Sequence, residues 1–252
     1  MNAPSTTIRT VDLTCWQCGA ASYGEQFCPA CGKIQPLPQG ASYFDLFGMP
    51  PQLVIETAAL ESRFHKLSWK LHPDNFTHAT EFERNLSLQR SSELNDAYRA
   101  LREPISRVEY LLARRGMRRE GAATQKAPPE LLEEVFELNE WLDELRDNRA
   151  AASGEVPAEL LQRLHQARDN FQEKLDSVDA ELEQVFQEWD RAIAASGSRT
   201  AAGDGAQGLF HVELSVLPDE FQSILNRLNE ILNRRSYIRN LVAGVQNELA
   251  GA

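Results

Sequence analysis

The sequence predicts an all-α protein: a small N-terminal zinc-knuckle module, a unit of four helices, then an elongated antiparallel three-helix bundle. Three observations carry that expectation. All four cysteines fall within residues 15–31, and none occurs later. From Tyr43 onward apolar residues recur at three- and four-residue steps, the spacing of one helix face. In the first four helical segments proline and glycine stand at the ends, where they start or stop a helix.

The module, residues 1–38, is short of aliphatic residues and carries Cys15 and Cys18 in "CWQCG" and Cys28 and Cys31 in "CPACG". Two residues between cysteines let both thiolates of a pair face one ion. Glycine after the second allows the tight turn whose N–H groups point at sulfur. Four tetrahedral thiolates suit zinc, with iron as the alternative, since it also accepts four sulfurs. So small a segment has no core of its own, and the roughly 10–16 kcal/mol that zinc supplies in finger peptides would be its folding energy. Clustered cysteines also differ from the dispersed set of a disulfide-bonded secreted protein. With no open ligand position and no general base nearby, the site reads as structural. "IQPLPQG" follows as a stiff polar linker.

The next unit covers residues 41–116. "YFDLF" is one short helix, stopped by Gly48 and Pro50-Pro51. Leu60, Phe64, Leu67 and Leu71 mark a helix from about Glu56 to Leu71, ended by Pro73, which disfavours helical geometry in the residue before it. A third runs from about Thr80 to Arg102 with Phe82, Leu86, Leu94, Ala97 and Leu101 on its apolar side. Pro104 opens a fourth, closed by Gly116.

After the polar break "GMRREGAATQKAPP", residues 128–252 carry three heptad-patterned helices. Their seams are Leu131, Val135, Leu138, Leu142, Leu145; then Leu164, Phe171, Leu175, Val178, Leu182, Val185, Trp189; then Phe221, Ile224, Leu228, Ile231, Ile238, Val242, Val245, Leu249. Such narrow seams pack at a shallow angle. The second helix, from about Pro157 to Ala195, would span roughly 57 Å. The Gly/Ala-rich stretch 196–208 reads as a flexible loop, "LFHVELSV" is ambiguous between helix and strand, and no internal repeat is evident.

Composition narrows the function. The net charge of −11 argues against nucleic-acid binding, and residues 1–38 hold only Arg9 and Lys33 as basic groups. Within 128–195 acidic residues outnumber basic ones about three to one. No stretch approaches the roughly 20 apolar residues of a membrane helix. The N-terminus has neither the apolar core of a secretion signal nor the amphipathicity of an organellar one, so the cytosol is expected.

"KLHPDNF", residues 70–76, places His72 and Asp74 in one turn. They would suit acid–base catalysis, but no nucleophile elbow, phosphate loop or second carboxylate at a telling spacing accompanies them, so no enzyme is expected. The surroundings give a different reading. "YFDLFGMPPQLVIETAALESRFHKLSWKLHPDNF" followed by "ELNDAYRALREPISRVEYLL" resembles the J domain of HscB-type co-chaperones of iron–sulfur cluster assembly. The resemblance implies an antiparallel helical hairpin whose His72, Pro73 and Asp74 dock on a DnaK-type (HscA-like) ATPase chaperone and stimulate its ATP hydrolysis. Arg63, Lys66 and Lys70, at i, i+3 and i+7 away from the core face, would steer that partner's acidic surface. Asn75 stands where many relatives carry lysine.

Leu132 and Phe136 lie about 100° off the seam of the first bundle helix and continue at four-residue steps into Glu140 and Glu144. Left in water, each apolar side chain forgoes roughly 1.5–3 kcal/mol of burial; a wider bundle face would equally absorb both. "LLEEVFELNEWLDEL" resembles the scaffold-binding helix of HscB proteins, which implies that Leu132, Phe136, Glu137, Glu140, Glu144 and Tyr237 hold an IscU-type iron–sulfur scaffold. Glu133 departs from the family pattern, which is apolar there. The cysteine module resembles the arrangement in eukaryotic and some bacterial relatives; with no organellar targeting segment evident, a bacterial cytosol is expected, or the mitochondrial matrix if the source is eukaryotic. The function implied is a non-enzymatic adaptor coupling ATP hydrolysis to cluster transfer. The alternative is a general folding co-chaperone, whose Gly/Phe-rich stretch and repeated C-x-x-C-x-G-x-G units are absent.

Overall fold

Side-chain caps set two of the helix starts. The computed structural model describes residues 14–22, 25–38, 40–118, 128–151, 155–200 and 219–251. Seven α-helices lie among them: α1 (Tyr43–Leu46), α2 (Thr57–Leu71), α3 (Glu81–Arg102), α4 (Pro104–Arg114), α5 (Leu132–Ala150), α6 (Ala158–Thr200) and α7 (Asp219–Ala250). Ser42 with Asp45, and Thr80 with Glu83, form reciprocal capping boxes at the starts of α1 and α3, each cap worth about 1 kcal/mol. Beyond Gly116, whose φ of 66° suits glycine, the Met117 N–H turns back to the Leu112 carbonyl and closes α4. Among the described residues there is no β-sheet, only two isolated bridges in the cysteine module. No described helix is long and apolar enough to cross a membrane.

The chain packs as two compact units, divided inside α4 and inside α6. One comprises the residues up to Arg107 and the end of α6 from Asp190. The other holds residues 108–189 with α7.

In the first unit Phe44, Leu46, Leu53, Leu60, Leu71, Leu94, Ala97 and Leu101 are fully buried, and Phe64 stacks on Tyr98 with ring centroids 4.3 Å apart. Phe82 corrects the sequence expectation. It is half exposed: at the start of α3 it meets Trp16, itself exposed, edge-on at 4.8 Å, and that contact covers it only in part. The segment before α2 is held by its backbone. Asp190 accepts the N–H groups of Leu53 (2.6 Å) and Val54 (2.9 Å), while buried Arg107 donates to the Leu53 carbonyl. Arg107 also donates to the Leu101 carbonyl at 2.7 Å, satisfying the end of α3. Burial lowers Arg107 to about 10, with Asp190 and Glu103 opposing the shift. Burial likewise raises Asp190, against the pull of its two backbone donors and Arg107.

In the second unit the seam residues of α6 and α7 are buried, apart from partly exposed Leu249, and Leu160, Phe186, Leu225 and Leu232 join them. Cross-links from Arg227 to Glu188 (2.6 Å), Arg234 to Glu181 and Arg235 to Asp179 (2.5 Å) descend one helix as they climb the other, fixing α6 and α7 antiparallel. Lys174 reaches Glu134 of α5 at 3.0 Å, and Arg146 and Arg149 of α5 grip Glu248 near the end of α7. The stretch expected to be a loop from residue 196 is helical as far as Thr200. The Ser196 hydroxyl bonds back to the Ile193 carbonyl at 2.8 Å where the extra turn begins. Residues 201–208 of that loop, and "LFHVELSV", lie outside the described residues.

Candidate functional site: an HPD turn, a four-cysteine centre and an exposed helix stripe

Pro73 has no N–H to continue α2, so the helix ends with orphaned carbonyls. Two hydroxyls from α3 take one of them: Ser87 and Ser91 donate to the Leu71 carbonyl at 2.7 and 2.9 Å. Asn75 takes another, its amide donating to the Trp69 carbonyl at 2.6 Å. A lysine in that position would lack this compact cap. Pro73–Phe76 then forms a single 3₁₀ turn, opened by the Asp74 N–H donating to His72 Nδ1 at 3.3 Å. The side chains of His72 and Asp74 are 55% and 84% exposed. The turn is anchored through its backbone and displays its side chains. Lys66 and Lys70 are exposed along α2; Arg63 instead donates to the Phe47 and Gly48 carbonyls at 3.1 and 3.4 Å.

The four cysteines form one cluster of free thiols whose sulfurs all lie within 4.8 Å of one another. Cys15 and Cys31 are 3.6 Å apart and Cys18 and Cys28 3.7 Å. A tetrahedral ion with metal–sulfur bonds of about 2.3 Å separates its sulfurs by about 3.8 Å. The donor set therefore fits a metal. The two halves repeat the turn that the CxxCG spacing predicts: Cys15, Cys18 and Gly19 recur as Cys28, Cys31 and Gly32, with φ of 71° at both glycines. In each half the glycine N–H returns to the first cysteine carbonyl, and a bridge (Thr14 to Ala21, Phe27 to Ile34) closes the loop. Gln17 N–H and the Gln35 amide point at Cys15 Sγ, at 3.4 and 3.3 Å. Desolvation raises the Cys15 thiol, but the backbone N–H groups of Cys18 and Gln17 and the neighbouring thiols outweigh it and bring it to about 6. At Cys31 the Lys33 N–H lowers the thiol, yet desolvation and three neighbouring sulfurs lift it to about 12. A dication removes that mutual repulsion, so binding releases protons.

The module is seated on the first unit. Lys33 pairs with buried Glu83 at 2.7 Å, the Gln26 side-chain amide donates to the Leu46 carbonyl at 2.9 Å, and Arg90, itself buried, donates to Gln26 Oε1. The Trp16 indole N–H donates to the Ile34 carbonyl at 2.7 Å. Glu83 thus serves twice, as the capping partner of Thr80 and as the seat of Lys33.

On α5, Leu138, Leu142 and Leu145 are buried, whereas Leu132 and Phe136 are 53% and 67% exposed. The bundle does not absorb them. Glu137, Glu140 and Glu144 are exposed on the same helix, and Tyr237 of α7 is partly buried.

No family model matches the sequence. The co-chaperone protein HscB homologue of Vibrio campbellii is 35% identical over 143 residues, which is 57% of this chain and 81% of the relative. The chain belongs to the HscB co-chaperone family. The HscB homologue of Vibrio vulnificus (strain YJ016) is 41% identical over 112 residues, 44% of this chain. The match spans 66% of that relative, just under two thirds of its length. The crystal structure of human co-chaperone protein HscB covers 95% of this chain and all of its own at a TM-score of 0.58 and 21% identity, so the two share a fold.

Within this HscB-family chain, several positioning residues were not apparent from the sequence pattern. Ser87, Arg90 and Glu83 are buried polar residues of α3, and Ser91 beside them is half-buried. Their signal is present: polar groups at 83, 87, 90 and 91 share the face marked by Leu86 and Leu94, and buried polar groups need partners. Asp190 carried no such signal, because its partners lie in sequence far from α6.

Proposed function

We propose that this chain is a non-enzymatic adaptor that recruits a DnaK-type, HscA-like ATPase, stimulates its ATP hydrolysis, and presents an IscU-type scaffold for iron–sulfur cluster transfer. The carrying observation is the turn at 72–74: its backbone is fixed by α3 while His72 and Asp74 stand in solvent. Such a turn is built for a partner to read. Lys66, Lys70 and, beside its carbonyl bonds, Arg63 give the approach to it a positive flank. Membership of a co-chaperone family supports the same reading.

The scaffold is held on α5 through Leu132 and Phe136, an apolar anchor of the kind that dominates interfaces, flanked by Glu137, Glu140 and Glu144, with Tyr237 of α7 as an aromatic contact. The four cysteines hold zinc, or iron in its place, as a closed structural centre whose chemistry is limited to fixing the module. The seat of action is the bacterial cytosol.

Asp74→Asn in the full chain is the test. It keeps the turn's size and its N–H, so stimulation of the chaperone's ATPase should be lost while scaffold binding is retained. Undiminished stimulation by that variant refutes the reading.

A further inference from the structure

The cysteine module and α2 enclose a groove of about 510 Å³. Phe27 forms one wall and Leu67 the other, both half-buried, over a floor of buried Leu46 and Phe47. Its rim is charged. Of the acidic side chains lining it, Asp45 is committed to the Ser42 cap, leaving Glu25. Of the basic ones, Arg63 is committed to the Phe47 and Gly48 carbonyls, leaving Lys66 and Lys70, neither of which has an ion-pair partner among the described residues. An apolar floor beneath two unpaired lysines favours an acidic segment that carries an apolar side chain. The groove also runs toward the turn, since Lys70 stands two residues before His72.

We propose that this groove docks such an acidic, apolar-bearing segment of the DnaK-type ATPase, and that the cysteine module is half of the chaperone-binding face. This rests on the chaperone reading above. The metal centre then contributes to recognition by fixing the wall that carries Phe27, next to Cys28, while Gln26 and Lys33 seat that wall on α1 and α3. Lost metal opens the groove without touching the turn.

The test uses the metal-loaded full chain and a purified DnaK-type ATPase, measuring the dissociation constant calorimetrically and the half-saturating concentration for ATPase stimulation. Glu25→Lys removes the one uncommitted acid and should tighten binding about threefold, with a steeper salt dependence. Phe27→Ser should weaken it about tenfold, with retained metal content showing that the module still folds. If that variant loses metal, Glu25→Lys alone decides, because a gain in affinity cannot come from damage. Unchanged affinity in both variants, with stimulation still lost in Asp74→Asn, overturns the groove and leaves the chaperone reading standing. Stimulation surviving Asp74→Asn overturns both. Tighter binding of Glu25→Lys to a polyacidic peptide but not to the ATPase shows a groove with another acidic occupant, and also overturns the proposal.

Discussion

Removing the two hydroxyls that hold the end of α2 should loosen the turn at 72–74 more than either removal alone. Leu71 is the last residue of α2, and the Asn75 N–H that would take its carbonyl in a continuing helix goes instead to His72 at 2.9 Å. The Leu71 carbonyl has two lone pairs and receives Ser87 at 2.7 Å and Ser91 at 2.9 Å. Ser87→Ala or Ser91→Ala alone leaves one donor in place and should cost about 0.5–1 kcal/mol, the net value of a neutral hydrogen bond. The double variant leaves a carbonyl unsatisfied at a site where Leu71 and Ser87 are fully buried. That adds a desolvation penalty, and the total should reach about 2–3 kcal/mol. The excess over the sum is a coupling energy of the kind shared partners produce. Urea titrations followed by helicity give the stabilities, and amide exchange at residues 69–76 reports the turn. Additive losses with unchanged exchange in the double variant would refute the reasoning, since water would then be satisfying the carbonyl.

Leu132→Ala combined with Phe136→Ala should change stability by less than about 0.5 kcal/mol, as expected of exposed positions, while capture of an IscU-type scaffold by the full chain is lost; equal capture moves the scaffold site off this stripe. Glu83→Gln tests the seat of the module through pH. The hydrogen bond from Lys33 holds the Glu83 carboxyl below its ordinary value of 4.5, with Thr80 assisting and desolvation opposing. A depressed carboxylate stabilises fully above its ordinary value, and that contribution fades as pH falls through the lower folded value. The difference in Tm between the unmodified chain and Glu83→Gln should accordingly be constant from pH 8 to about 5.5 and shrink below 4.5; a difference that grows in acid would contradict it.

Local chemistry was legible in the sequence and distant packing was not. Thr80 and Pro104 mark helix starts because caps and ring constraints act within one turn, and the structure starts α3 and α4 there. The four cysteines cluster as their spacing implied, since the CxxCG turn is closed by its own backbone. Phe82 failed for the opposite reason. Periodicity placed it on the apolar side of α3, but that end of the helix is covered by the Lys33–Glu83 pair and the Trp16 ring, which no helical pattern encodes. Leu132 and Phe136 left two outcomes open, and only the width of the bundle face decided that both stay exposed. Asn75 looked like a missing charge, and its geometry makes it a cap for α2.

The grip of Asp190 on Leu53 joins residues 137 apart in sequence, and that separation sets a timetable for synthesis. A ribosome adding about 5–20 residues per second needs roughly 7–27 s to reach Asp190 after making Leu53. The α2–α3 hairpin, whose partners are near neighbours in the chain, is free to form within that interval, with the Leu53 and Val54 N–H groups meanwhile in water. A fragment cut after α4 is therefore a snapshot of the nascent protein, with its hairpin present and Arg107 on the Leu53 carbonyl, but the Leu53 and Val54 N–H groups still without Asp190. A stop codon ahead of residue 190 releases the chain in that state, and a pause there prolongs it.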